Sequence, residues 1–330
     1  MQDLVVLFGG TLLAWSLTGL LVRVLGARRH VTLPNDRSLH SGAVPVGGGL
    51  AIIAVITVLW PLGLRELNTP HQVLLLTAAL LSVAFWVNDL KDLWPATRLL
   101  AQVLAVAVSL PLLLGDAQLF PTLPLLAERL LLAVAWVWFI NLFNFMDGID
   151  GLAGSEAIAM AAGYLAVSGL IGRSGALTML ALLIIAACLG YLVWNWHPAR
   201  IFMGDAGSIP LGFLLGALML DLALAGQLAA ACILPLVFVA DATITLLRRF
   251  GAGKRLTQAH RDHCYQQAVL GGLSHDAVTL RVTGTNLVLI VLALASVRYP
   301  MAAAAVAMVI TGALLIGLAR AHRDGSPRAA

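Results

Sequence analysis

The apolar run "LLLAVAWVWFI", residues 130–140, leads directly into the polar stretch "NLFNFMDGIDGLAGSE", residues 141–156. The first segment is typical of a membrane-embedded helix. The second holds two asparagines, two aspartates and three glycines. Carboxylates at the mouth of a membrane bundle are costly to bury, so this stretch favours a ligand or metal site. The alternative is an ordinary helix end with a capping aspartate and a glycine-rich turn.

The composition extends the membrane interpretation to the whole chain. Of its 330 residues, 60% are hydrophobic and 11% are charged, with a mean hydropathy of +0.94. Soluble domains carry about 25% charged residues. Repeated long apolar runs with so few charges predict an all-α, polytopic integral membrane helix bundle within a lipid bilayer. The net charge is +4, and most of the charged residues lie between these runs. They therefore indicate the orientation of the chain in the membrane and not nucleic-acid binding.

The apolar runs predict about ten to eleven transmembrane helices. They lie near residues 4–26, 47–64, 71–88, 97–115, 127–146, 155–171, 175–194, 208–221, 228–247, 282–298 and 300–319. Most of the 20 Lys and Arg residues fall in alternating loops, starting after the first run. By the positive-inside rule these loops are cytoplasmic, which places the N-terminus outside and the C-terminus in the cytoplasm.

We expect one transmembrane catalytic domain over residues 1–330, because no internal repeat appears and only one sizeable polar loop interrupts the apolar runs. Five cytoplasmic loops are predicted to form the active-site face, namely 27–46, 88–97, 141–155, 195–208 and 249–281.

Acidic residues also gather in these loops, which the positive-inside rule does not require. Asp147 and Asp150 lie three residues apart, and so do Asp89 and Asp92, while Asp205 precedes a predicted helix. Taken alone, each has an ordinary explanation as a helix cap or a solvated loop residue. Together they offer the oxygen ligands that Mg²⁺ prefers, beside basic residues suited to a polyphosphate. That combination is what phosphoryl transfer needs.

Several ordered motifs carry a resemblance to a known family. They are "PNDRSLHSGAVPVGGG" (34–49), "NDLKDLWPATRLLAQ" (88–102), "NLFNFMDGIDGLAG" (141–154), "NWHPARIFMGDAGS" (195–208) and "HRDHCYQQ" (260–267). The chain resembles the polyprenyl-phosphate N-acetylhexosamine-1-phosphate transferases of the glycosyltransferase family 4 type. "HRDHCYQ" and "PNDRSLHS" look more like the O-antigen-initiating branch than the peptidoglycan branch.

The resemblance implies a reaction, a location and partners. A UDP-N-acetylhexosamine, with a 6-deoxy sugar as one candidate, would give its sugar-1-phosphate to undecaprenyl phosphate and release UMP. Mg²⁺ would be the cofactor, with Mn²⁺ as the alternative. The enzyme would lie in the bacterial inner membrane with its active site on the cytoplasmic face, where it would initiate O-antigen or other cell-envelope polysaccharide synthesis. A homodimer is compatible with the resemblance.

The resemblance also implies roles for individual residues. Asp205 resembles the principal Mg²⁺ ligand, and Asp89 resembles the carboxylate that deprotonates or positions the lipid phosphate. Asp147 and Asn144 resemble a polar pair beside the nucleotide, whereas Asp150 and Phe202 resemble contacts to uracil. The residues predicted to act catalytically are Asp89, Asp147 and Asp150. Those predicted to bind substrate are Asn144, Phe202, Arg37, His40, Asn195, His260 and His263.

One departure from the family pattern keeps alternatives open. The family usually has two adjacent aspartates where this chain has Asn88 and Asp89. An asparagine can accept a hydrogen bond but cannot act as a base or offer a full charge. A catalytically inactive homologue is therefore one alternative. An ion-coupled membrane transporter is the other, although its carboxylates would be expected near the membrane midplane.

Overall fold

The computed structural model describes residues 2–27, 31–32, 44–63, 67–91, 94–255 and 260–325. Within these ranges the chain is a helix bundle, which confirms the predicted all-α fold. The helices are α1 (Gln2–Ala27), α2 (Gly49–Gly63), α3 (Thr69–Lys91), α4 (Pro95–Leu114), α5 (Leu125–Phe145), α6 (Leu152–Leu170), α7 (Ala176–Asn195), α8 (Asp205–Leu224), α9 (Leu228–Ile233), α10 (Leu236–Gly251), α11 (Cys264–Leu270), α12 (His275–Ser296) and α13 (Pro300–Gly325). Two short strands, β1 (Val31–Thr32) and β2 (Val44–Pro45), pair antiparallel.

Eight of the described helices are long and apolar enough to cross a membrane, namely α1, α3, α4, α5, α7, α8, α12 and α13. The remaining predicted spans, near 47–64, 155–171 and 228–247, coincide with α2, α6 and the pair α9–α10. The chain is therefore a multi-pass membrane protein. The number of crossings beyond these eight and the side of each terminus remain predictions.

The predicted span 228–247 is broken near its start. α9 ends at Ile233 and α10 begins at Leu236, with Pro235 between them. Proline has no N–H to donate and its ring clashes with the preceding turn, so the helix ladder is interrupted there. Hydrogen bonding resumes when the N–H of Val239 donates to the Pro235 carbonyl at 3.0 Å.

The predicted loop 249–281 contains more helix than hydropathy suggests. α11 lies within it, and α12 begins at His275 instead of near residue 282. The first two turns of α12, "HDAVTLR", are too polar to register as an apolar run. Their helical structure follows from packing: His275, Val278 and Thr279 are buried against the rest of the bundle.

α8 is the central helix of the bundle. Most of its residues are buried, and it packs against α2, α3, α5, α6 and α9. On the α5 side, the Trp136 ring stacks on Phe213 with ring centroids 5.0 Å apart, and Trp136 Nε1 donates to the Phe213 carbonyl at 3.0 Å. The first residue of this buried helix is Asp205, so packing fixes the position of that carboxylate.

Candidate active site

Two glycine-containing motifs, "PVGGG" and "FMGDAGS", bring the N-termini of α2 and α8 together. The carbonyl of Phe202 accepts the N–H groups of Gly47 and Gly48 at 3.1 and 2.9 Å. The helices then approach so closely that a Cβ on Gly49 would lie 2.1 Å from the Cα of Gly207. Only glycine fits at such an approach. Motifs far apart in sequence therefore meet directly at the start of α8.

Asp89, near the C-terminal end of α3, holds the N-terminus of α8. Its Oδ1 accepts the N–H of Asp205 at 3.2 Å, and its Oδ2 accepts the N–H of Ala206 at 3.1 Å. The first amides of a helix lack intrahelical partners and carry partial positive charge, so a carboxylate stabilises them. The N-cap position itself is occupied by Gly204. The simple explanation of Asp205 as the helix cap is therefore wrong, because Asp89 supplies the cap from another helix.

The Asp205 carboxylate is held by side chains from three helices. Asn88 Nδ2 donates to Oδ2 at 3.0 Å, and Arg98 forms an ion pair with the same oxygen. Asn144 Nδ2 donates to Oδ1 at 2.7 Å and also to Ser208 Oγ at 2.8 Å. Asn144 and Asp205, which were predicted as site residues with separate roles, thus lie side by side at the meeting point of α3, α4, α5 and α8.

Asp147 differs from its neighbours because no described residue donates a hydrogen bond to its carboxylate. It follows α5, is half-buried, and accepts no hydrogen bond from any residue that the structure describes. Burial raises the pKa of Asp147 to about 7, and the nearby carboxylates of Asp205 and Asp89 add to this rise. A carboxyl group in such surroundings gains by taking up a proton or a cation.

Asp89, Asp147 and Asp205, termed the acid cluster below, offer the type of ligand atom that a hard divalent cation takes. Mg²⁺ takes oxygen ligands and is usually held by one or two carboxylates together with substrate phosphates. The unpartnered Asp147 carboxylate is the observation on which this fit depends. Asp147 and the predicted metal ligand Asp205 are the residues that would hold the ion. The oxygens of Asp89 and of Asp205 also accept hydrogen bonds from the protein.

Asp150 lies in a different environment, next to two histidines. Its Oδ2 lies 2.6 Å from His197 Nδ1 and 3.3 Å from His275 Nδ1, and accepts the N–H of Ala199 at 3.1 Å. Burial opposes ionisation of Asp150, but the hydrogen bonds from His275 and His197 outweigh it and hold its pKa below the ordinary value. The three side chains have the spacing of a metal site. In the structure the two histidine nitrogens contact Oδ2, which also accepts the N–H of Ala199.

Asn195 joins the two loops that flank Asp150. Its Oδ1 accepts the N–H of Gly151 at 2.9 Å, and its Nδ2 donates to the Ile201 carbonyl at 2.9 Å. The side chain is only 4% exposed. Asn195 was predicted to bind substrate; in the structure both ends of its amide hold main-chain groups, and it positions the loops.

The long loop 249–281 reaches the acid cluster through α11. Asp241 accepts the N–H groups of Cys264 and Tyr265 at 2.8 and 3.1 Å, which fixes the start of α11. Tyr265 then donates its hydroxyl to the Phe145 carbonyl at 2.9 Å, two residues before Asp147. Asp241 thus has a structural partner in the helix it anchors.

The basic residues predicted to bind substrate differ in their burial. His260 is half-buried, and its ring lies 5.0 Å from that of His263. His263 is 2% exposed and packs against the Tyr265 ring, so it supports the loop from inside. Arg37 and His40 lie outside the described residues.

Three polar residues of this region were not predicted as site residues. Arg98 lies within "NDLKDLWPATRLLAQ" and His197 within "NWHPARIFMGDAGS", so both belong to motifs named above. His275 belongs to no motif. Only the packing of α12 brings it to Asp150, 125 residues away in sequence.

The sequence matches the family model of glycosyl transferase family 4 over residues 71–223, a range that contains the whole acid cluster. It is 30% identical over 258 residues to a probable undecaprenyl-phosphate N-acetylglucosaminyl 1-phosphate transferase of Bacillus subtilis (strain 168), covering 74% of this chain and 71% of that protein.

Two further relatives match along most of their length. A phospho-N-acetylmuramoyl-pentapeptide-transferase of Methylacidiphilum infernorum is 30% identical over 305 residues, covering 79% of this chain and 81% of that protein. A decaprenyl-phosphate N-acetylglucosaminephosphotransferase of Mycolicibacterium smegmatis is 26% identical over 300 residues, covering 79% and 74%. The chain is therefore an enzyme of the glycosyl transferase family 4 and belongs to the polyprenyl-phosphate N-acetylhexosamine-1-phosphate transferases.

Proposed function

We propose that this protein transfers an N-acetylhexosamine-1-phosphate from a UDP-sugar to undecaprenyl phosphate, giving undecaprenyl diphosphate-sugar and UMP. The observation that carries the proposal is the convergence of Asp89, Asp147 and Asp205 at the N-terminus of α8, with Asp150 on the adjoining loop. The names of the Bacillus and Mycolicibacterium relatives, which refer to N-acetylglucosamine phosphate transfer and polyprenyl phosphates, support the same substrate classes.

In this reaction an oxygen of the lipid phosphate attacks the sugar-bearing phosphorus of the UDP-sugar. A new P–O bond forms there, and the bond from that phosphorus to the bridging oxygen breaks, so that UMP leaves with the electron pair. Mg²⁺ held by Asp147 and Asp205 would supply charge neutralisation at the diphosphate. Asp89 keeps the amides of α8 in place beneath these carboxylates. Arg98, already paired with Asp205, lies where its guanidinium could also hold a phosphate oxygen.

The nucleoside would bind next to Asp150. Oδ2 of Asp150 is taken up by His197, His275 and Ala199, whereas Oδ1 accepts no hydrogen bond from the described residues. We propose that Oδ1 accepts the N3–H of uracil and that the Phe202 ring stacks on the base.

The pyrophosphate would meet the start of the long cytoplasmic loop. His260 is the better candidate of the two histidines there, because His263 is almost fully buried. Arg37 and His40 are proposed to complete the basic lining from the loop 27–46. The protein is also proposed to lie in the bacterial inner membrane, with the acid cluster on the cytoplasmic face. There it would act in the synthesis of O-antigen or another envelope polysaccharide.

The direct test is a donor panel with the purified protein. Undecaprenyl phosphate and Mg²⁺ are combined in turn with UDP-N-acetylglucosamine, UDP-N-acetylated 6-deoxyhexoses and UDP-N-acetylmuramoyl-pentapeptide, and UMP is measured. We expect one donor class to release UMP only when the lipid is present. Release with the muramoyl-pentapeptide donor alone would replace the proposed sugar class with the peptidoglycan one.

Two other outcomes would contradict the proposal. Absence of UMP with every donor, from protein that is folded and binds the lipid, would favour the inactive homologue. Accumulation of a solute inside proteoliposomes, driven by an ion gradient and without UMP release, would favour the transporter.

The raised pKa of Asp147 predicts how Mg²⁺ binding depends on pH. Between about pH 4 and 7 the folded protein holds a proton on Asp147 that the unfolded chain has lost, so without cation the free energy of unfolding falls as pH rises through this window. Mg²⁺ requires the ionised carboxylate. We therefore expect the rise in melting temperature caused by Mg²⁺ to be larger at pH 8 than at pH 6, measured by thermal unfolding in detergent.

Asp147→Asn should make this Mg²⁺ effect small at both pH values. Asp116→Asn is the matched control, because Asp116 is exposed in the turn after α4 and lies outside the acid cluster. An unchanged, pH-dependent Mg²⁺ effect in Asp147→Asn would show that another group binds the ion.

A further inference from the structure

A cleft of about 510 Å³ lies between α10 and α13, with the start of α11 at one side. No member of the acid cluster lines it. Its walls are mostly apolar or small side chains, and two arginines stand among them. The lining residues are Ile244, Arg248, Cys264, Gly312, Leu315, Ile316, Ala319 and Arg320.

Both arginines lie near the C-terminal ends of their helices, which the predicted topology places on the same side of the membrane. Arg248 follows Ile244 by one helical turn of α10, and Arg320 follows Ile316 by one turn of α13. Both arginines are exposed, and no carboxylate pairs with either among the described side chains, which in α13 end at residue 321. Their neighbour Arg249 contrasts with them, since it is buried and paired with Asp262. The cleft is thus positively charged near the C-terminal ends of α10 and α13.

The rest of the cleft is apolar and open. A Cβ on Gly312 would meet nothing within 4 Å, so this glycine leaves space that a larger residue would fill. Ile316 is 55% exposed and Ile244 is 37% exposed. Gly312 and Ile316 belong to the membrane-spanning part of α13, so the apolar wall faces the depth at which lipid chains lie. The cleft therefore pairs a cationic end with an apolar wall.

We propose that this cleft binds an anionic phospholipid of the bilayer, with its head-group phosphate between Arg248 and Arg320 and an acyl chain along Ile316 and Gly312. Basic pockets between transmembrane helices are suited to anionic lipid head groups. Arginine offers paired N–H donors that match phosphate oxygens. The bulk phospholipid is favoured over the polyprenyl phosphate substrate, because no residue of the acid cluster lines the cleft.

The site has a physical connection to the acid cluster. Cys264 lines the cleft, and its N–H and that of Tyr265 are both held by Asp241. Tyr265 contacts the Phe145 carbonyl at the end of α5. A lipid that fills the cleft would support α11 against the loop that carries Asp147. This inference goes beyond the proposed function, and its test does not depend on turnover.

The test measures phospholipid retention by native mass spectrometry. Detergent-solubilised protein is equilibrated with equal amounts of phosphatidylglycerol and phosphatidylcholine, and the bound lipids are counted. We expect the wild-type protein to retain phosphatidylglycerol selectively. Arg248→Gln and Arg320→Gln should each lower this retention about fivefold, the effect usual for one basic side chain near an anionic surface.

Gly312→Leu and Ala319→Leu test the apolar part of the cleft without changing the charge. Both should lower phosphatidylglycerol retention, and two variants are used so that a folding defect in one does not decide the result. Arg281→Gln is the matched control, because Arg281 is exposed and donates only to the Ala277 carbonyl of its own helix. It should retain the lipid as the wild-type protein does.

Three results would overturn the proposal. The first is equal retention in the wild-type protein and both arginine variants. The second is loss in the arginine variants with full retention in the folded leucine variants, which would indicate a surface attraction outside the cleft. The third is displacement of phosphatidylglycerol by an equal amount of undecaprenyl phosphate, which would make the cleft part of the substrate path.

Discussion

Asp205→Asn is expected to lower turnover about thousandfold, the scale found when one charge-stabilising group is removed from an active site. The native carboxylate accepts hydrogen bonds from Asn88 and Asn144 and pairs with Arg98. An asparagine removes the full negative charge that a divalent cation needs. It also turns an NH₂ group toward donors that need an acceptor. Steady-state release of UMP across a range of Mg²⁺ concentrations measures the effect.

Asp221→Asn is a control in the same helix. Asp221 lies at the other end of α8, where it accepts the Tyr164 hydroxyl at 2.7 Å and pairs with Arg173 at 2.9 Å. Its substitution also breaks a hydrogen-bonded ion pair, so it matches the structural cost without touching the acid cluster. We expect its turnover to stay within about threefold of the native value, as for residues remote from the chemistry. If Asp205→Asn stayed within tenfold with unchanged Mg²⁺ dependence, Asp205 would not be a metal ligand.

The convergence of the polar loops could be predicted from sequence because it depends on topology. Hydropathy places helix ends on one side of a membrane or the other, and residues at those ends then share a face. Asn144, Asp147 and Asp205 were predicted on these grounds, and the structure brings them together at the start of α8.

What each side chain does there could not be predicted, because partners come from helices that are distant in sequence. Asp89 and Asp147 look alike in the sequence, yet both oxygens of Asp89 accept α8 amides, whereas Asp147 accepts no hydrogen bond in the part of the chain that the structure describes. Asn195 and His263 were predicted to bind substrate. Their burial follows from contacts with residues 151 and 201 and with Asp241 and Tyr265, which no local pattern contains.

The hydrogen bonds from the α8 amides to Asp89 can be tested by displacing its carboxylate. Gly204→Ala probes capping without altering any ionisable group. Gly204 has φ 74° and ψ 171°, a conformation that residues with a side chain rarely adopt. Its Cβ would lie 2.6 Å from Asp89 Oδ2 and 2.6 Å from Val46 Cγ1, so neighbouring side chains must shift. We expect the Asp89 carboxylate to move off the amides of Asp205 and Ala206. We expect turnover to fall about a hundredfold and the melting temperature to drop, given about 1–3 kcal/mol for the backbone strain alone.

Gly253→Ala separates backbone strain from displacement of Asp89. Gly253 also has a positive φ, 67°, but a Cβ there would meet nothing within 4 Å. This variant should lose some stability and keep its turnover. Equal turnover losses in the two variants would mean that strain, and not the position of Asp89, limits the reaction.

A double-mutant cycle with Asp89→Ala then tests whether the two residues act together. If Gly204→Ala lowers turnover by moving Asp89, the double variant should be no slower than Asp89→Ala alone, because the group being displaced is already absent. Additive losses would show that Gly204→Ala slows turnover by a route other than moving Asp89, such as backbone strain or the contact with Val46. We expect the non-additive result, because a Cβ on Gly204 would lie within contact distance of the Asp89 carboxylate.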